Sequence, residues 1–321
     1  MSDRTKAYLA LTAVAFIWGT ATVVIKYTLD YLPPFTFLTY RFWISFVIIL
    51  PFLFYELNKV RRTFNQIGEV VLLNIIGIPL TLILVFIGIQ HTSALEASFI
   101  LATAPVFNVL AGYLFLKEKI ETHELLGISV ALVGTIAIVI EPLFNGKSFV
   151  LSHVTGNLIL ILSIIADAYY TVRSRRDLKH KYSPLFIIAI GFFVAPLILT
   201  PLSTLEQPLP HLLITIYQLP AQAHLGVWFM ALFSGIIAYF LFQFGLKRIE
   251  ASEATIFRYL NPVFSAPLAV FWLGDKITTP FLIGAVIIII GVFIAEYRPH
   301  RRKHQIILSF LKELPQKILK T

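Results

Sequence analysis

The sequence predicts an all-α membrane protein of ten transmembrane helices, built as a five-plus-five inverted repeat. Three observations predict it: the number and length of the apolar runs, the distribution of Lys and Arg between them, and a passage that recurs 157 residues after its first appearance. Of the 321 residues, 58% are hydrophobic and 13% are charged, where a soluble domain carries about 25% charged residues.

A helix needs about 20 apolar residues to cross the hydrocarbon core. Ten runs meet that length: 7–29, 34–55, 67–90, 94–116, 123–141, 154–172, 183–204, 224–246, 252–273 and 279–297. They are continuously apolar, which excludes a β-barrel, whose strands alternate over about ten residues. The first run is too long for a cleavable signal, carries Lys26, and is followed at once by another span. The chain has no Cys, so disulfides, thiolate chemistry and cysteine metal sites are excluded. It has no HExxH motif and no glycine-rich phosphate loop, so neither a metal nor a cofactor is expected.

Net charge is +9, and the cations are sorted by segment. With the N-terminus inside, 21 of the 26 Lys and Arg fall in cytoplasmic segments, two fall in outer loops (Lys147 and Lys276), and three lie within spans (Lys26, Arg41 and Arg258). The positive-inside rule then puts both termini in the cytoplasm of a cell (plasma) membrane protein. An anionic inner leaflet accounts for the basic loops, and no nucleic acid partner is required.

The segment 94–142 aligns without gaps on 251–299, with 14 identities in 49 positions. Apolar composition inflates chance matches among Ile, Leu and Val, but not the Glu96/Glu253 and Lys119/Lys276 pairs or "PVF" at 105–107 and 262–264. The repeat pairs the fourth span with the ninth and the fifth with the tenth. Five is odd, so the second copy enters from the opposite side, as in many secondary transporters. The expected divisions are residues 1–145 (spans 1–5), 146–299 (spans 6–10) and a tail, 300–321. The tail reads as a basic amphipathic segment on the inner leaflet, with Ile307, Phe310, Leu311, Leu314 and Ile318 at helical spacing. A disordered tail is the alternative.

"FIWGTATVVIKY" in the first span, "PPFTFLTYRF" entering the second, "GIQHTSALEAS" before the fourth, and "YFLFQFGLKRIEASEA" with "NPVFSAPLAVFWLGDKIT" around the ninth resemble the drug/metabolite transporter superfamily, EamA type. The resemblance covers about residues 7–297. It implies ten helices and, usually, export of amino acids or other small metabolites. The sequence departs from the family pattern at Asn261, where an acidic residue often precedes the proline, and near Asp167, where a Trp often stands.

An ionisable group inside a span costs at least about 2.5–3.5 kcal/mol, so each one calls for a partner, water or a route to the interface. Lys26 lies near the outer end of its span and reads as a snorkelling anchor or a gate. Arg41 lies about 10 Å deep by helical rise. It also matches a family arginine. It reads as a donor to neighbouring carbonyls or as a solute contact. Asp167 and Arg258 lie at similar depth in the inner half, which predicts that they face one cavity and pair, with a purely structural ion pair as the alternative reading. Asp167 is also the candidate for proton coupling.

Ser93 and Glu96 have capping-box spacing, so Glu96 and Glu253 read as helix caps. Tyr239 and Gln243 share a helix face. With Trp18, Tyr169, Tyr170, Tyr259 and Asn261 they describe a small-molecule pocket or interhelical contacts. Pro105 and Pro262 occupy equivalent positions and predict matching kinks, with gating or packing as the two readings.

These features point to a secondary transporter working by alternating access around a central cavity. Three cations within the spans against one clear anion favour a solute bearing a carboxylate, such as an amino acid. A passive facilitator or channel is the alternative. An intramembrane enzyme needs a nucleophile and base, two aspartates or a metal cluster, and Asp167 is the lone aspartate well inside a span. The oligomeric state is not legible.

Overall fold

The computed structural model describes residues 3–60, 62–116, 122–140, 150–249 and 251–296. The basic tail, the division at 145/146, and the side chain of Glu253 lie outside this description. Among the described residues the fold is all-α and multi-pass. Seven helices are long and apolar enough to cross a membrane: α1 (Asp3–Thr28), α2 (Pro34–Lys59), α3 (Phe64–His91), α4 (Ala94–Phe115), α6 (Val150–His180, apolar from His153), α7 (Pro184–Ser203) and α9 (Ala221–Arg248). Of the remaining expected spans, α5 (Thr122–Ile140) and α12 (Thr279–Glu296) hold shorter apolar stretches, Leu125–Ile138 and Thr279–Gly291. The ninth is divided into α10 (Ala251–Ile256), a tight turn at Phe257–Leu260, and α11 (Asn261–Leu273). A short helix that the apolar runs did not predict, α8 (Leu209–Tyr217), follows α7.

Several ends are fixed by local chemistry. Thr63 and Gln66 form a reciprocal capping box at the start of α3. Ser183 accepts the amide of Phe186 at the start of α7, and Pro184 fills the first helical position, where a missing N–H costs nothing. α11 stops at Gly274, whose φ of 72° is left-handed backbone that glycine adopts without strain. Pro33 cannot cap α2, and a distant carboxylate does so instead. The two oxygens of Glu206 accept the amides of Phe35 at 2.9 Å and Thr36 at 2.8 Å.

Long apolar faces such as those carrying Leu9, Val47, Leu114, Leu162 and Phe293 are exposed. The hydrophobic effect does not drive helices together in lipid; close packing and interhelical polar contacts do. Glycines supply the close packing where α5 crosses α12. A Cβ on Gly134 would sit 2.7 Å from the carbonyl oxygen of Gly284, and one on Gly291 would sit 2.7 Å from that of Gly127. The earlier glycine meets the later one in both pairs, so the two helices run antiparallel.

The helices are interrupted at matching places. α3 carries a wide turn at Ile76–Leu80, and α9 carries one at Leu232–Ile237. The first turn makes room for a neighbour: a Cβ on Gly77 would fall within the ring of Tyr170. α4 breaks at residues 102–103 and restarts at Ala104. The expected kinks at Pro105 and Pro262 are therefore helix breaks. Each proline sits in the first turn of the restarted helix, where its missing N–H was never bonded.

Candidate functional site

A cavity of about 110 Å³ lies among α1, α2, α3, α4, α6, α9 and the turn before α11. Six of the singled-out residues line it: Trp18, Arg41, Asp167, Tyr239, Arg258 and Asn261. Thr22, Thr81, Ser163 and Ser234 add hydroxyls that the sequence reading passed over. Two of these carried a signal, since Ser163 lies one helical turn before Asp167 and Thr22 one turn after Trp18.

Each lining group is set by its own helix. Gly19 lets α1 approach α11 so closely that a Cβ there would sit 2.7 Å from the carbonyl oxygen of Asn261. This turns the neighbouring Trp18 toward α9, where its Nε1 donates to the carbonyl of Ser234 at 3.1 Å. The Trp18 ring meets Tyr239 edge-on at 5.5 Å and lies 5.2 Å from Phe242. Asn261 is buried, with an Oδ1 that accepts no hydrogen bond from the described residues.

Arg258 and Asp167 form a two-bond ion pair. Nη1 donates to Oδ2, and Nη2 donates to Oδ1 at 3.3 Å. The guanidinium also lies 5.2 Å from the Trp18 ring and 5.0 Å from Phe242, within reach of a cation–π attraction. Arg258 thus has a full counter-charge and an aromatic wall.

Arg41 has neither counter-charge nor hydrogen bond among the described residues. It is 0% exposed, and Nε, Nη1 and Nη2 all lack a hydrogen-bond partner among the described residues. Its guanidinium lies 4.9 Å from the Phe42 ring and 5.8 Å from that of Phe86. Rings attract a cation by about 0.5–2 kcal/mol and leave five N–H donors unanswered. Buried polar groups are nearly always bonded, so a buried cation with all three nitrogens unpaired among the described residues is chemistry left incomplete.

The other singled-out residues lie elsewhere. Tyr170 and Gln243 are buried beneath the cavity and bond to each other, Gln243 Nε2 donating to Tyr170 Oη at 2.8 Å. Lys26 ties α1 to the end of α3, donating to the carbonyls of Ile89 (3.0 Å), Gln90 (3.1 Å) and Thr92 (2.6 Å). That is the place where a helix's carbonyls and dipole favour a cation. Tyr259 and Pro262 line a separate apolar groove of about 460 Å³ with Phe99, Ala102 and Phe293. Pro105 is buried in the restarted half of α4. Tyr169 packs edge-on against Phe115 at 5.2 Å.

Glu96 does more than cap. Its amide donates to Ser93 Oγ at 3.0 Å, and Oε2 accepts from Thr92 Oγ1 at 3.0 Å and from Asn157 Nδ2 at 2.8 Å. His153 Nδ1 lies 3.6 Å from Oε1. The adjacent amide of Leu95 donates to Asp275 Oδ2 at 2.9 Å, and burial pushes the Asp275 carboxyl above its ordinary range.

The profile of the EamA-like transporter family matches the chain twice, over residues 5–140 and 154–297. The uncharacterized transporter YyaM of Bacillus subtilis is 28% identical over 298 residues, which cover 90% of this chain and 92% of that protein. An uncharacterized transporter of Archaeoglobus fulgidus is 25% identical over 294 residues, covering 90% and 98%. A crystal structure 19% identical to this chain superposes with a TM-score of 0.63 over 92% of this chain and 97% of the other, a likeness of fold.

Proposed function

Because the chain belongs to the EamA-like transporter family, and is therefore a multi-pass membrane transporter, we propose that it is a secondary transporter, an exporter of small carboxylate solutes such as amino acids. The observation that carries the solute class is Arg41, a buried guanidinium in the cavity wall with three nitrogens lacking hydrogen-bond partners among the described residues. A carboxylate answers a guanidinium with two parallel, charge-assisted bonds. Tyr239 and Asn261 supply polar groups beside it, and the small volume favours a compact solute over a nucleotide sugar.

The mechanism proposed is alternating access between two halves of five helices each, residues 1–145 and 146–299, threaded in opposite senses. The support is internal symmetry. The family profile matches once per half. Shifting the wide turn at 76–80 by 157 gives 233–237, within the second wide turn at 232–237. The same shift carries Pro105 to Pro262, each opening a restarted helix. The α5–α12 glycine contacts are reciprocal as well: Gly134 meets the repeat mate of Gly127, and Gly127 meets the repeat mate of Gly134. That reciprocity is what a two-fold axis generates. In this reading Asp167 and Arg258 form the inner gate, with Asp167 the coupling residue. Lys26 holds the outer end, and both termini are cytoplasmic in the cell membrane.

The test is a thermal-shift screen of purified protein against amino acids and organic acids, followed by flux of the hits in proteoliposomes. A carboxylate solute raises Tm and shows saturable, trans-stimulated counterflow. Stabilisation by neutral solutes alone removes the carboxylate assignment, and flux without trans-stimulation replaces the carrier with a passive facilitator.

A further inference from the structure

Beneath the cavity, one face of α6 carries a file of polar side chains. Ser163, Asp167, Tyr170, Thr171, Ser174 and Asp177 recur at intervals of four, three, one, three and three residues, which keeps them within about a third of the helix circumference. Ser163 and Asp167 line the cavity. Tyr170, Thr171, Ser174 and Asp177 are buried, with exposures of 2% or less. Asp177 sits at the helix's far end, 3.5 Å from the half-exposed Arg173 and near Lys181 and Glu69.

Ser163, Asp167 and Tyr170 have partners, but the rest of the file is not fully satisfied. Thr171 Oγ1 and Gln243 Oε1, facing it from α9, have no hydrogen-bond partner among the described residues. Ser174 Oγ lies beside the Tyr170 hydroxyl without a bond of normal geometry. A static interhelical contact would pair these atoms with carbonyls, as Thr39 Oγ1 of α2 does with Leu199 of α7 at 3.0 Å. Unpaired hydroxyls and amides in a row suit transient water.

We propose that this face of α6 is the cytoplasmic half of the permeation path. Water enters at Asp177 and reaches the cavity floor when the Tyr170–Gln243 hydrogen bond and the Asp167–Arg258 pair open. Thr171 and Ser174 line the route. Tyr170 is its gate, hinged in the notch that Gly77 leaves in α3. The inference rests on the transporter reading above and adds the route by which the cavity meets the cytoplasm.

The chain has no Cys, so the natural protein is a ready background for single-cysteine labelling. Thr171→Cys and Ser174→Cys are placed on the file, and Leu162→Cys and Ile165→Cys on the exposed apolar face of the same helix. Each is treated with a charged, membrane-impermeant thiol reagent applied to inside-out and right-side-out vesicles. The file positions react from the cytoplasmic side, and the apolar-face positions do not. Adding Tyr170→Phe, which keeps the ring in the Gly77 notch and removes the hydroxyl, raises the Ser174→Cys rate about three- to tenfold, as expected for the loss of one buried hydrogen bond.

The proposal is overturned if both file positions react no faster than Leu162→Cys, or react from the outer side alone. Ser→Cys and Thr→Cys change little volume, and agreement between the two sites guards against one misfolded variant. Labelling needs no solute. An unreactive file in a protein that still performs counterflow removes this route alone. A reactive file in a protein with no counterflow leaves the route and removes the carrier.

Discussion

Two arginines face the same cavity and are treated in opposite ways. Arg258 is given a carboxylate and two aromatic walls. Arg41, more deeply buried, is given two phenyl rings and no hydrogen-bond partner among the described residues. A guanidinium whose partner comes from the protein adds to the folded state or to a gate. One whose partner is left to another molecule reports on that molecule. Under the proposed function the difference separates holding from binding within one cavity, and four substitutions test it.

The largest effect belongs to Asp167→Asn. It leaves Arg258 facing a neutral amide, and stranding one member of a buried pair costs about 3–5 kcal/mol. Asp167 and Arg258 keep 17% and 12% side-chain exposure, so a value near the lower bound is expected. It is read as a lower Tm in detergent and reduced flux. An unchanged Tm together with unchanged flux would reduce the pair to an incidental contact.

Arg41→Met reverses the pattern. Removing a charge that the protein does not answer leaves Tm unchanged or raises it. A lost charge-assisted bond of about 1.5–3 kcal/mol weakens the apparent affinity for a carboxylate solute roughly ten- to a hundredfold. A fall in Tm as large as that of Asp167→Asn would erase the contrast between the two arginines.

Lys26 is the third cation within the spans and sits between the two extremes. It is answered by the carbonyls of Ile89, Gln90 and Thr92 rather than by an acid in direct contact. Lys26→Met uncovers the end of α3 and is expected to cost about 1–2 kcal/mol of stability, read as a lower Tm, on the scale of a partly buried cation at a helix C-terminus. Solute affinity stays as it was. A changed affinity with unchanged Tm would move Lys26 into the binding machinery.

The sequence made the Asp167–Arg258 pair legible because helical rise alone puts the two residues at one depth. Arg41 is equally visible as a costly residue, but its lack of a partner among the described residues is not, since that depends on what the neighbouring helices present. Lys26 reads from sequence as a snorkelling anchor or gate because its acceptors lie 63 to 66 residues away. Glu206, at the N-terminus of α2 from 170 and 171 residues away, gave no signal at all. In the sequence the proline pair reads as kinks. A proline in mid-span admits either a bend or a restart, and the tight turns before Ala104 and Asn261 chose the restart. Local spacing carried the helices and their depths, while long-range donors and acceptors decided what each charge does.

The smallest effect concerns Asp275, in the turn between α11 and α12. It accepts the amide of Leu95 and lies near both Lys26 and Glu96. Burial is the main influence on its carboxyl and holds it above the ordinary 3.8, against the opposing pull of the Leu95 amide and Lys26. The folded protein therefore holds this proton more tightly than the unfolded chain does. The stability so gained is present below 3.8 and is lost as pH rises through the folded value. Asp275→Asn keeps an acceptor for Leu95 and removes the buried charge. At pH 7 the variant should melt slightly above the natural protein, and the gap should close as pH is lowered toward 4. A variant that melts lower at pH 7 would mean that Lys26 draws on this carboxylate, and that the lysine, like Arg258, is held by an acid rather than by helix-end carbonyls alone.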